Sequence, residues 1–136
     1  MGWAVYVESF GETKRTGISR AEVRLLFPVV EEKSEANCWS VRYDERNSCD
    51  AGVTPIASNP EAINGLYVDK PCADLRLWQA LVSLLRMGSF FLFGPGSPPI
   101  VADPGVAASL PDEIIEALGS PKLAATAEDV LRVLEA

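Results

Sequence analysis

The chain has 136 residues, of which 48% are hydrophobic and 23% are charged, and it carries a formal net charge of −7 with no histidine. This length and composition exclude a disordered chain and predict one folded domain, residues 1–136, with its own hydrophobic core. The acidic balance, without any cluster of Lys or Arg, argues against binding to nucleic acid, because phosphates are bound by clustered positive charge.

The first predicted strand covers residues 2–8, where aromatic and β-branched residues alternate with others. Its last residue, Glu8, and the polar residues 10–17, which predict a loop, favour a position at the edge of a sheet. No basic segment precedes this apolar stretch, and Glu8 interrupts it. We therefore expect neither a signal peptide nor a membrane span, and a cytoplasmic protein without membrane partners.

The first predicted helix begins after Ser19, which has the capping-box spacing to Glu22. We expect this helix to run from about Arg20 to Phe27, with a possible continuation to Lys33 if Pro28 only kinks it.

Short strands are predicted for the middle of the chain. Trp39, Val41 and Tyr43 alternate with polar residues and predict a half-buried strand. Residues 46–52 predict a turn, and residues 53–58 predict a short paired strand of a hairpin. Residues 59–65 predict a loop, and residues 66–71 predict another short strand.

The clearest helix covers residues 72–88, which are so apolar that only a narrow polar side remains. Such a helix lies in a core or in an interface. The apolar run 89–93 then predicts a strand covered on both faces. The following "GPGSPP" predicts a tight turn rather than a phosphate-binding loop, because no helix can begin there and no Lys or Arg occurs between Arg86 and Lys122.

The end of the chain predicts a short strand at 98–103, a helix at 110–119, a strand at 122–126 and a C-terminal helix capped by Thr126. The irregular mixture of helices and strands predicts an α+β (or α/β) domain. We expect a mixed or mostly antiparallel sheet packed by about four helices.

Two features of the composition limit the chemistry. The three cysteines are widely spaced and do not form a CxxC motif; they are Cys38, Cys49 and Cys72. This spacing predicts ordinary reduced thiols. The absence of histidine removes the commonest general base and metal ligand. We therefore expect no catalytic, cofactor-binding or metal-binding residues, no cofactor, and a protein that is not an enzyme.

Two acidic segments carry the whole charge excess, with net charges of −3 for residues 31–50 and −4 for residues 103–121. Each is typical of a solvated surface. If the fold brings them to one side, they predict a face that docks onto a basic partner. The predicted partner-binding residues are Glu31, Glu32, Asp44, Glu45, Asp112, Glu113 and Glu116.

The stretch "DLRLWQALVSLLRMGSFFLFGPGSPPIVAD", followed by "LPDEIIEALGSP", places an apolar helix before a strand, a Pro-containing turn and an acidic helix, over roughly residues 74–121. In a short acidic chain, this arrangement resembles the immunity proteins of bacterial polymorphic and type VI secreted toxins. The resemblance implies a non-enzymatic protein that binds a cognate toxin with a basic surface and blocks its active site or keeps its substrate out. The carboxylates that it implies as anchors are Asp44, Glu45, Asp112, Glu113 and Glu116.

Two other classes of function stay open. The apolar helix 75–87 is also compatible with a homodimeric structural or interaction subunit. The carboxylates at Asp44 and Glu45, or those at Asp112, Glu113 and Glu116, are compatible with a small ligand-binding domain or an enzyme with a carboxylate pocket.

Overall fold

A nine-stranded sheet forms the centre of the computed structural model, which describes residues 3–136. The strands are β1 (Ala4–Ser9), β2 (Ile18–Ser19), β3 (Val29–Lys33), β4 (Cys38–Arg42), β5 (Ser48–Ile56), β6 (Asn59–Asp69), β7 (Phe90–Phe93), β8 (Ile100–Val101) and β9 (Lys122–Leu123). The helices are α1 (Gly11–Thr16), α2 (Arg20–Arg24), α3 (Leu75–Leu85), α4 (Pro104–Ala108), α5 (Asp112–Leu118) and α6 (Ala127–Glu135). A 3₁₀ turn at Ser34–Ala36 connects β3 to β4.

The strands lie in the order β3, β4, β5, β6, β1, β7, β8, β9. Their pairings are antiparallel, except that β8 and β9 are parallel. The long strand β6 pairs with β5 along one edge, and with β2 and then β1 along the other. The predicted α+β class with a mixed, mostly antiparallel sheet is confirmed.

The two faces of the sheet are covered differently, because alternate residues of a strand point to opposite sides. On one face, Val7 lies between Leu66 and Leu92. These side chains are buried in one cluster with Leu81 of α3 and Val130 of α6. This side of the sheet is therefore the main hydrophobic core.

The opposite face is covered only in part. Phe91 of β7 and Val101 of β8 are buried there with Leu110, and the half-buried Ile114 and Ile115 of α5 pack against them. The helices α4 and α5 thus cover the β7–β8 end of this face.

Three helix starts follow the capping chemistry of the sequence. The Ser19 hydroxyl accepts a hydrogen bond from the backbone N–H of Glu22 at 3.3 Å, and the Thr126 hydroxyl accepts one from Asp129 at 3.2 Å. Asp74 caps α3 in the same way at 2.9 Å. These side chains satisfy backbone donors that the first helical turn leaves free.

The turn after β7 is the tight connection that the sequence predicts. The backbone N–H of Ser97 donates to the carbonyl of Gly94 at 3.1 Å, and the Ser97 hydroxyl accepts from the N–H of Gly94 at 2.8 Å. Gly96 adopts a φ of +70°, which favours glycine.

Several predicted elements were wrong. The strand β1 is not an edge strand, because β6 and β7 pair with its two sides; Gly2, the first residue of that prediction, lies outside the described residues. Residues 11–16 form the short helix α1 instead of a loop. The helix α2 ends at Arg24, and Val29–Lys33 continues as a strand, because these residues pair with β4.

The loop predicted for residues 59–65 is instead the first half of β6, because β5 and β2 pair with its two edges. The short helices α1 and α4 raise the count to six helices within residues 3–136, where about four were predicted.

Candidate functional site

Glu32, one of the predicted partner-binding residues, is engaged inside the chain. Its carboxylate accepts hydrogen bonds from Trp39 Nε1 at 2.8 Å and from Arg20 and Arg24 at 3.2 Å each. The hydrogen bond from Trp39 is the main reason why the pKa of Glu32 lies below its usual value; burial opposes this effect, and the two arginines add to it. Glu32 therefore joins α2 to β4 and has little capacity left for a partner.

Asp44 closes the turn between β4 and β5. Its Oδ1 accepts hydrogen bonds from the backbone N–H groups of Arg46 and Asn47, both at 2.9 Å, and from the Asn47 side chain at 3.0 Å. These hydrogen bonds, that of the Asn47 side chain first, lower the pKa of Asp44. Asp44 is thus a turn-forming residue, whose Oδ2 also lies 3.6 Å from Arg76.

The remaining predicted carboxylates are exposed, but the fold separates them. Glu31 lies on β3, and three others lie on α5, which packs beside β7 and β8. The exposed carboxylates of α5 are Asp112, Glu113 and Glu116. Six strand intervals, or about 29 Å, separate β3 from β8, and four, or about 19 Å, separate β8 from Asp50 on β5, where the first acidic segment ends. The two acidic segments therefore do not form one continuous patch.

Between these segments, three aromatic side chains cross the uncovered face of the sheet. Tyr6 of β1 lies directly opposite Tyr67 of β6 on one side and Phe93 of β7 on the other. The ring centroids of Tyr6 and Tyr67 are 6.2 Å apart, and those of Tyr6 and Phe93 are 5.2 Å apart and stacked. Tyr6 is 39% exposed and Tyr67 is 44% exposed. We call Tyr6, Tyr67 and Phe93 the aromatic band.

A glycine on the neighbouring strand leaves space for the Tyr67 ring of the band. Gly52 of β5 pairs directly with Tyr67. A Cβ atom at position 52 would come within 2.2 Å of the Tyr67 ring, so only glycine leaves the ring its present place. The Phe93 end of the band is half-buried against the α5 cluster. The band therefore has a fixed position between β5 and α5.

Carboxylates flank the band on both sides. Asp50 and Asp69, which lie directly opposite each other on β5 and β6, are on one side, and Glu8 of β1 is on the other. All three are exposed, and none forms an ion pair within residues 3–136. Like charges at directly opposed positions repel each other. We call the aromatic band with Glu8, Asp50 and Asp69 the open face.

A wide depression of about 500 Å³ adjoins the open face. Its charged lining consists of Asp50, Asp69 and the predicted partner residue Glu45, together with Arg42 and Lys70. All five side chains are exposed. Glu45 is thus a predicted carboxylate that lines the same depression as Asp50 and Asp69 of the open face.

The open face was not predicted, although part of its signal is visible in the sequence. In "VYVE", the alternation places Tyr6 and Glu8 on the face of the sheet away from the buried Val5 and Val7. In "LYVD", it places Tyr67 and Asp69 on that same face. The missing information was the strand order, because only the pairing of β1 with β6 brings the two motifs together.

The carboxyl groups whose pKa values are shifted lie outside the open face. The shifted carboxyl pKa values, those of Glu32, Asp44, Asp74 and Asp129, all lie below the ordinary range, whereas a proton donor at neutral pH needs a raised one. Among the described residues, no group of three or more Cys, Asp or Glu side chains is placed to hold a metal ion.

A second, apolar cleft of about 450 Å³ lies on the core side of the sheet, between Trp3, Trp78 and the α6 residues Leu131 and Leu134. The two indole rings stack with their centroids 6.2 Å apart. Its lining contains one carboxylate, that of Glu135. This cleft therefore does not gather the carboxylates that the predicted carboxylate pocket requires.

The apolar side of α3 is used within the chain. Leu77, Trp78 and Leu81 are at most 2% exposed in the main core, and Trp39 is fully buried there as well. The prediction of a homodimer interface was based on this apolar side of α3. Because this side is buried in the core, it is not exposed for contact with a second copy. The tryptophans Trp39 and Trp78 are core residues.

In the part of the chain from residue 3 onward, none of the helices has the length and apolar character needed to cross a membrane. Comparison with protein-family models, with curated proteins and with solved structures finds no match to this chain.

Proposed function

We propose that this chain is a non-enzymatic binding protein whose open face docks onto a basic surface of a partner protein. In line with its resemblance to immunity proteins, the partner is a cognate secreted bacterial toxin, and the contact blocks the toxin's activity. The observation that carries this proposal is the aromatic band, partly exposed on the uncovered side of the sheet and flanked by unpaired carboxylates.

Tyrosine is well suited to such a contact. Its ring contributes a large apolar area with few rotatable bonds, and tyrosines are enriched among the residues that dominate binding free energy. Here the rings of Tyr6 and Tyr67 are already held by cross-strand packing and by the close approach of Tyr67 to Gly52. The contact therefore orders few side chains and loses little conformational entropy.

The charges around the band specify the chemistry of the partner. An Arg or Lys side chain over the ring of Tyr6 or Tyr67 would gain a cation–π contact. Its charge would at the same time lie near Asp50 and Asp69, which repel each other in the free protein. The net charge of −7 would attract a basic partner from a distance, and this attraction weakens as salt increases.

The test is the capture of partners by tagged wild-type protein and by the double variant Tyr6→Ala/Tyr67→Ala, in lysate of the organism that encodes the chain. The matched control is Leu25→Ala, which removes an exposed apolar side chain away from the open face and from the depression beside it. We expect one stoichiometric partner with a basic surface, which wild type and control bind alike. Loss of two aromatic anchors should weaken its binding by about 30-fold or more.

Two further measurements make the result decisive. The purified partner should associate more slowly at higher salt, with a smaller effect on dissociation. Expression of the partner alone should arrest cell growth, and co-expression of this chain should relieve the arrest. Binding that does not change in the tyrosine variant would overturn the open face as the docking site, and a partner that does not affect growth would overturn the immunity role.

A further inference from the structure

Two of the three cysteines are neighbours in the fold. Cys49 of β5 and Cys72, which follows β6, have Sγ atoms 3.9 Å apart although 23 positions separate them in the sequence. Both thiols are half-buried. Cys38 lies apart from this pair, because it pairs with Gly52 on the opposite face of the sheet. The wide sequence spacing thus conceals a close thiol pair.

The surroundings hold the two sulfurs in place. Cys49 pairs with Val41 in the antiparallel ladder between β4 and β5. The Cys72 carbonyl accepts a hydrogen bond from Trp78 Nε1 at 3.3 Å, which connects the residue to α3. Tyr43 packs against the same cluster, and the Arg76 guanidinium lies 5.1 Å from the centre of its ring.

We propose that Cys49 and Cys72 are a modification site that forms a reversible intramolecular disulfide by exchange with a low-molecular-weight disulfide such as oxidised glutathione. One cysteine, as its thiolate, attacks the glutathione disulfide and releases the first glutathione thiolate. The second cysteine, again as its thiolate, attacks the protein sulfur of the mixed disulfide and releases the second. Two electrons pass from the cysteine pair to the oxidant, and the two protons lost by the cysteines end on the two glutathione thiols.

The geometry requires only a small movement. A disulfide bond is about 2.05 Å long, so the sulfurs must approach by about 1.9 Å, a distance within reach of side-chain rotation. The bond would join β5 to the connection between β6 and α3, and it would restrict the unfolded chain. Burial raises the pKa of Cys49 to about 12, so the thiolate is scarce and the exchange is slow.

The experiment incubates the folded full-length protein with oxidised glutathione at mildly alkaline pH until thiol counts are constant. Free thiols are then titrated, the intact mass is measured and the linked peptides are mapped. We expect wild type to retain one free thiol, Cys38, to lose two mass units without a glutathione adduct, and to unfold about 5–10 °C higher. Reduction should reverse all three changes.

The matched control is Cys38→Ser, which should form the same bond and retain no free thiol. Cys49→Ser and Cys72→Ser should instead stay reduced or carry glutathione. Peptide mapping of the wild-type protein needs no variant, so the result stands even if a variant fails to fold. Three free thiols at equilibrium, glutathione retained on Cys49 or Cys72 as the end product, or a bond that includes Cys38 would overturn the proposal. The inference rests on thiol placement alone and is independent of the proposed function.

Discussion

The carboxylate of Glu32 connects two elements that local sequence does not join. Arg20 and Arg24 come from α2 and Trp39 comes from β4, and all three donate to the same two oxygens. Because these donors favour the charged form, the pKa of Glu32 is lower in the folded than in the unfolded chain. The stabilisation is therefore fully present above the unfolded pKa and is lost as the pH falls through the folded pKa.

We predict that Glu32→Gln lowers the free energy of unfolding at pH 7 by about 1 kcal/mol, because a neutral amide accepts weaker hydrogen bonds from Trp39 and the arginines. Urea denaturation of both proteins at a series of pH values checks this. The difference between wild type and variant should shrink as the pH falls below the usual titration range of a glutamate, where Glu32 becomes protonated. Glu31→Gln is the control, because the exposed Glu31 makes no such contacts and its replacement should change stability by less than about 0.5 kcal/mol. Equal effects of the two substitutions would contradict this account.

The neighbours Glu31 and Glu32 also show what sequence can tell about a site. Both belong to the acidic segment that predicts partner binding, but they pair with Ser40 and Trp39, which point to opposite faces of β4. One side chain is exposed and the other is taken up by internal hydrogen bonds. The sequence shows which segment is acidic, whereas strand pairing decides which of its carboxylates are exposed and can bind a partner.

At the level of elements, the contact between β5 and β6 positions the aromatic band. Gly52→Ala should force the Tyr67 ring away, because the new Cβ would lie 2.2 Å from it. We predict a loss of about 1 kcal/mol in stability, a changed fluorescence of the tyrosine, and weaker partner binding. Gly65→Ala on β6 is a matched control, since its Cβ would meet Thr54 and the Val7 carbonyl at an ordinary 3.4 Å. The account would be contradicted if both variants behaved like wild type.

The elements that the sequence predicted well are those whose conformation depends on their own residues rather than on pairing with distant strands. The helix α3 is apolar along its length and capped by Asp74, and the Thr126 cap begins α6 as expected. The first half of β6 was predicted as a loop because Asn59 and Pro60 are typical turn residues. It is a strand because β5 and β2 provide partners on both edges, which local sequence does not reveal.

Taken as a whole, the molecule buries one face of its sheet under α3 and α6 and only one end of the other face under α4 and α5. The uncovered remainder holds the open face, with a carboxylate-bearing helix on one side and the acidic β3–β5 region on the other. The two acidic segments therefore frame the aromatic band instead of meeting. A partner that spans this arrangement would need basic groups spread across its surface, as well as an Arg or Lys that reaches the band.

This distribution of charge and apolar surface also predicts the oligomeric state. The apolar side of α3 is buried, and the aromatic band is one exposed apolar area that a dimer could use. Pairing two open faces would bring Asp50, Asp69 and Glu8 of one copy against the same carboxylates of the other, and like charges at an interface cost several kcal/mol. We therefore expect a monomer by analytical ultracentrifugation at low salt, over a wide range of protein concentration. High salt screens the repulsion, so any weak self-association should appear there first and should vanish in Tyr6→Ala/Tyr67→Ala. A stable dimer at low salt that persists in the tyrosine variant would contradict this prediction and revive the structural-subunit alternative.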